Sequence, residues 1–201
     1  SNTGAGNGYI VSKENATVDY FLRQQGTSGA VRCSFEGVNA GDAPAGTLVN
    51  GEWAFIVCVF DGSNNIIYKN GVSILSGAAV TSTFSDNGDS VDIGRKGDGT
   101  TYFTGAIDEV RIYNRALSPG EVRRLYDSGV IKINTSQNNL IRNGLIGYWN
   151  MDSSYSRNSL VTDLSTSGNL LTQVGTPQKN IGKVGQSLNL DAVDDEIYCT
   201  D

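Results

Sequence analysis

The chain of 201 residues contains no histidine. That absence removes Ser-His-Asp and Cys-His catalysis and the imidazole ligands of the usual zinc sites. Proline is scarce at 3 residues, and basic residues number 15 against 21 acidic ones, for a net charge of −6. A surface of that sign does not suit the phosphate backbone, so nucleic acid is excluded as a partner. No apolar run approaches the ~20 residues of a membrane-spanning helix. No signal peptide is visible, so secretion would require a signal outside these residues. The three cysteines, Cys33, Cys58 and Cys199, form no CxxC pair. They read as buried free thiols, as a Cys33–Cys58 bridge between neighbouring strands, or as an intermolecular bond through the odd one.

Glycine is plentiful at 25 residues, with frequent β-branched residues and tyrosine. The length suits one all-β domain of many short strands and polar turns. Strands are expected at Tyr9–Ser12, Val18–Gln24, Ala30–Phe35, Glu52–Phe60, Ile66–Lys69, Val72–Leu75 and Ser90–Gly94. Asn70-Gly71 predicts a type I′ hairpin turn. Ala106–Tyr113 alternates, with Ile107, Glu109, Arg111 and Tyr113 on one side and Asp108, Val110 and Ile112 on the other, as one strand should. Ser118-Pro119-Gly120-Glu121 then reads as a helix start. Ser118 caps, Pro119 suits the first position, and Glu121 completes a capping box. Val122, Leu125 and Tyr126 share a helical face, and Gly129 is a plausible stop.

Tyr102 to Tyr126, read as Y-F-x-G-x-I-D-E-V-R-I-Y-N-R-A-L-S-x-x-E-V-x-x-L-Y, resembles the closing signature of the laminin-G-like, concanavalin A-like jelly rolls. WAFIVCVFDG (Trp53–Gly62), IIYKNG (Ile66–Gly71) and VDIGR (Val91–Arg95) precede it in that family's order. The resemblance implies an all-β jelly-roll sandwich of two antiparallel sheets with one short helix. Gly144–Asp201, with GLIGYWNMDSS, VTDLSTSGN and GKVGQSLNLDAVDDEIY, is similar to the opening of the same family.

The opening segment thus follows the closing one. Residues 1–129 read as the C-terminal portion of a jelly roll, 130–143 as a polar linker, and 144–201 as the N-terminal portion. The family's central strand, expected between the DDEIY region and the Tyr9 strand, is missing. Three arrangements remain open: a tandem repeat cut mid-domain, a subunit completed by a neighbouring copy, and a circular permutant closed within one chain. Each half alone would leave sheet edges and an apolar face exposed.

The resemblance further implies a structural calcium ion on Asp108, joined by Asp152 and by Asp163. Loop-edge carboxylates suit a cation that takes six to eight oxygens; the alternative for Asp108 is pairing with Arg111 or capping a turn. Asp191–Glu196 reads as a hairpin turn, since it lacks the EF-hand pattern. Trp53 and Trp149 read as core residues, and Tyr9, Tyr20, Tyr68, Tyr102 and Tyr155 as candidates for an exposed concave face. The tight E-x-D-x-x-E pattern of retaining glycosidases on this superfold is absent. The expected function is therefore a non-catalytic extracellular or cell-surface module, structural or adhesive, completed by neighbouring copies. The alternative is a carbohydrate-binding module.

Overall fold

The computed structural model describes residues 7–14, 18–77, 88–130, 142–152, 160–191, 193 and 195–199. Most of the 130–143 linker, Tyr155 and the first six residues lie outside these. Among the described residues, sixteen strands and one helix follow in chain order: β1 Gly8–Glu14, β2 Val18–Gln25, β3 Ala30–Phe35, β4 Val38–Asp42, β5 Ile56–Phe60, β6 Asn65–Lys69, β7 Val72–Gly77, β8 Asp92–Ile93, β9 Thr104–Ile107, β10 Val110–Tyr113, α1 Pro119–Val130, β11 Leu145–Trp149, β12 Leu160–Val161, β13 Leu171–Val174, β14 Gln178–Ile181, β15 Gln186–Asp191 and β16 Glu196–Tyr198.

One layer is an eight-stranded sheet in the order β12-β13-β16-β8-β1-β2-β3-β4. The other layer comes in three pieces: β10-β11, β14-β15-β9 and β5-β6-β7. All the strand pairs are antiparallel. The apolar side chains between the layers form two groups. Ile93, Val161, Leu171 and Ile197 of the large sheet meet Ile107, Val110, Trp149, Leu188 and Leu190. Val31 and Cys33 meet Ile67, with Ile56, Cys58, Ile74 and Leu75 packed against them. A third group lies on the other face of β5 and β6, where Val122 and Leu125 of α1 cover Val59 and Tyr68.

The two portions of the chain are paired with each other within this one molecule. β10 pairs with β11, Val110 opposite Trp149 and Arg111 opposite Tyr148. β9 pairs with β15 through Leu188–Ile107. β16 lies against β8, which in turn pairs with β1.

Several local expectations need correction. The stretch 106–113 is two strands, because Glu109 adopts a left-handed φ of 56°. The kink resets the alternation, so Ile107 and Val110 both point into the same core group. It also sends β9 and β10 to different pieces of the second layer. The 52–60 strand begins only at Ile56. β4, Val38–Asp42, is a strand beyond those expected. The Asp191–Glu196 turn is not a hairpin: it carries the chain from β15 in one sheet to β16 in the other. Asp195 holds that crossing by accepting from the Thr176 and Asp191 N–H groups. Tyr9 and Tyr68 are buried, each 4% exposed, and so form no part of an exposed face.

The hairpin and the capping box form as expected. Asn70 and Gly71 both have positive φ, 52° and 81°, as a type I′ turn demands. The Glu121 N–H donates to Ser118 Oγ, and the Ser118 N–H donates to Glu121 Oε2. The helix runs one residue beyond Gly129. Cys33 and Cys58 are joined as a disulfide between β3 and β5, with Cα atoms 6.2 Å apart, and Cys199 is buried outside that bridge. The bridge therefore replaces the free-thiol reading at those two positions, because the inward faces of β3 and β5 oppose each other in the sandwich.

Candidate functional site: a cleft in the second layer

A cleft of about 570 Å³ opens in the second layer. One wall is the 50–56 segment leading into β5, and the other is residues 103–111, covering β9 and the start of β10. Its floor is Ile10, Val11 and Leu22, inward-facing residues from β1 and β2 at the middle of the large sheet. Ile10 and Val11 border the first apolar group, while Leu22, Leu48 and Ile56 border the other inter-layer group. The cleft is thus a break in the core, where the second layer leaves β1 and β2 uncovered.

Trp53 stands at this opening and is 38% exposed, contrary to the core position expected for it. The reason is local: residues 52–55 are not in a strand, so its side chain is not drawn into the sandwich. Trp149, by contrast, is 2% exposed, and its indole N–H donates to the Asn169 carbonyl. Sequence reasoning missed the cleft because no motif marks it.

Asp108 lies on the cleft wall. The Lys183 and Val184 N–H groups donate to its Oδ2 at 2.8 and 3.1 Å. Its Oδ1 is buried without a partner. Burial raises the Asp108 pKa to about 6; the Val184 and Lys183 hydrogen bonds oppose the rise, and the charges of Glu109 and Asp152 add to it. Asp152 reaches the same turn from the other side, its Oδ1 accepting from the Gln186 N–H at 2.6 Å. A Cβ on Gly182 would come 2.6 Å from Asp108 Oδ2, and one on Gly185 would overlap Asp152 Oδ1. The glycines of Gly182-Lys183-Val184-Gly185 are therefore what let two carboxylates close on one turn. Glu109, beside them, pairs with Arg111 and accepts from the Tyr148 hydroxyl, while Arg111 stacks over the Tyr148 ring at 4.3 Å. Burial raises its pKa despite Arg111.

Asp163 is elsewhere engaged. Its Oδ1 accepts from the Tyr148 and Ser165 N–H groups, and its Oδ2 from the Asn169 N–H and the Ser165 hydroxyl. Burial would raise its pKa, but these bonds outweigh it and hold the carboxyl below the usual range. Among the described residues, no group of three or more acids, histidines or cysteines is placed to hold a metal ion. Asp108 and Asp152 come together on the 182–185 turn, while Asp163 accepts its four hydrogen bonds elsewhere.

A family model for the concanavalin A-like lectin/glucanases superfamily matches residues 1–123. The chain belongs to that family. Among solved structures, a Bacteroides ovatus protein provisionally named a carbohydrate binding protein aligns with a TM-score of 0.60 at 20% identity, over 81% of this chain and 46% of that one. At that identity the likeness speaks for the fold alone. An S-layer domain-containing protein of Clostridium thermocellum aligns with a TM-score of 0.33 at 21% identity, over 63% of this chain and 65% of the other. The chain spans about half the length of the first of these. No curated protein matches it.

Proposed function

We propose that this chain is a non-catalytic module of an extracellular or cell-surface structure that acts by associating with neighbouring polypeptide, copies of itself included. The observation that carries this reading is the opened core. A sandwich that leaves Ile10, Val11 and Leu22 at the floor of a cleft retains apolar area to bury against a partner. Two further features support it. Asp108 and Glu109 on the cleft wall are engaged in holding the fold, and no histidine is present to serve as base. The Cys33–Cys58 bridge suits an oxidising compartment. Sedimentation velocity over a wide concentration range tests the reading: reversible or stable association is expected, and a monomer at every concentration overturns association between copies.

A second reading is carbohydrate binding, favoured by Trp53 at the cleft mouth with its chain neighbours Asn50 and Glu52. An exposed indole stacks on a pyranose while amide and carboxylate groups take its hydroxyls. Binding on a glycan array that the Trp53→Ala protein loses would favour this reading. An array without hits would remove it.

A further inference from the structure

The cleft has the shape of an absent strand. β5 is paired on one side only, with β6. β10 is likewise paired on one side only, with β11. Among the described residues neither has a strand partner at its other edge, and the walls of the cleft are the segment entering β5 and the segment running through β9 into β10. An open edge carries a row of backbone donors and acceptors. The floor between the walls is apolar at Ile10, Val11 and Leu22, and the amide of Gln24 beside them donates to the Gly26 carbonyl. Asp108 Oδ1, on the β10 side, is the one buried side-chain atom on the cleft lining with no hydrogen-bond partner among the described residues. It is an acceptor, and a backbone N–H is a donor.

We propose that the cleft accepts one extended polypeptide strand from another chain, apolar at alternate positions, which completes the second layer between β10 and β5. This rests on the reading of the chain as an associating module and names the chemistry of its partner. The guest's apolar side chains would cover Ile10, Val11 and Leu22 and join the two inter-layer core groups, while its backbone would satisfy the open edges. The strands of the second layer run from four to six residues. A guest of similar length spans about 20 Å. A saccharide would meet the polar rim, but its hydroxyls would lie against the apolar floor, so peptide suits the floor better.

The test uses a synthetic peptide, acetyl-Lys-Thr-Val-Thr-Ile-Ser-Val-Thr-Lys-amide, and two controls. One control has the central Ile replaced by Pro, which removes a backbone donor. The other has the same composition with its apolar residues made contiguous. Amide hydrogen exchange of the whole chain is followed at residues 53–58 and 106–111. The alternating peptide should slow exchange there by about tenfold or more and raise the melting temperature, and both controls should do much less. Equal protection by all three peptides overturns the proposal, as does protection by none. Protection by a mixture of oligosaccharides, with none from peptide, also overturns it and identifies a glycan cleft. The outcome separates from that of the broader reading: a chain that self-associates but ignores the peptide loses only the slot, and a monomer that binds the peptide loses only self-association.

Discussion

Asp108→Asn tests how the two portions of the chain are joined. Asp108 follows β9, and its Oδ2 takes the N–H groups of Lys183 and Val184, 75 and 76 residues away in sequence. Its pKa stands at about 6 against an ordinary 3.8, burial being the main cause. A gap of about two pH units corresponds to about 3 kcal/mol between the two protonation states. Asp108 is only partly buried and the cleft beside it admits water, which reduces the expected effect to about 1–2 kcal/mol. The sign follows from proton uptake. An acid whose folded pKa is raised holds its proton in the native state over a range where the unfolded chain has lost it. Its contribution is therefore neutral below about pH 4, grows unfavourable as pH rises to about 6, and stays at its full cost above. The D108N protein retains an acceptor oxygen for the two N–H groups and has no charge to desolvate. Urea unfolding of both proteins at about pH 4, 5, 6 and 7 reads the difference, in which the other carboxylates cancel. The gap should move by about 1–2 kcal/mol in favour of D108N between the lowest and highest pH, whatever constant offset the buried amide brings. Parallel stability curves would refute the reasoning. Asp108→Ala serves as the contrast: it strands both N–H groups and should destabilise by about 2 kcal/mol.

Glu121→Ala removes both the capping box and the ion pair with Arg115, which with the Ser118 N–H holds the Glu121 pKa down to about 2. The folded value lies below the ordinary one, so this contribution is present above about pH 4.5 and fades as pH falls toward 2. A loss of about 1–2 kcal/mol is expected in urea melts at neutral pH, and a gap that does not narrow in acid would contradict it. Replacing Cys33 and Cys58 together by serine opens a loop with a sequence separation of 25. The cost should be about 3 kcal/mol, measured by denaturant unfolding under non-reducing conditions; stability unchanged from the parent would count against the bridge. Calcium, added or chelated, should shift the melting temperature by less than about 2 °C, since Asp108, Asp152 and Asp163 are held by protein donors rather than placed around an ion. A calcium-dependent rise of several degrees would restore the metal.

The parts of this fold that were legible in the sequence are those fixed by short-range chemistry. Asn70-Gly71 specifies its turn through two positive φ values, and Ser118 with Glu121 specifies a helix start through reciprocal hydrogen bonds. Neither needs a distant partner. Trp53 was misplaced because its neighbours Ala54, Phe55 and Ile56 give an apolar text indistinguishable from a strand; only the pairing of β5, which begins at Ile56, decides where extension starts. The pair Asp108 and Asp152 was recognised as a meeting point, but what they share is the Gly182–Gly185 turn. Backbone N–H donors leave no trace in a list of side chains, whereas carboxylates do, and carboxylates alone read as a metal site. The break at Glu109 was equally hidden, since a left-handed residue other than glycine carries no reliable compositional mark.

That break and the cleft have a common geometry. Had residues 104–113 continued as one strand, its two edges would have been shared between β15 and β11 in a single piece of sheet. The kink at Glu109 instead gives β9 to β15 and β10 to β11. Both partners come from residues 145–191, so the kinked segment joins the two portions of the chain twice. It is fastened there by Asp108 to the 182–185 turn and by Glu109 to Tyr148 and Arg111. All of these attachments draw the segment toward β11 and β15. Tyr113, at its far end, packs with the β5 face that α1 covers, while the strand bonds of β5 run to β6. The space between is left over β1 and β2, in the middle of the large sheet. A strand entering there would have to satisfy edges on both sides at once, which sets a stricter condition on its backbone than on its side chains. The Pro-containing peptide is the more decisive of the two controls for that reason: it leaves most of the apolar pattern in place and removes only what the edges require.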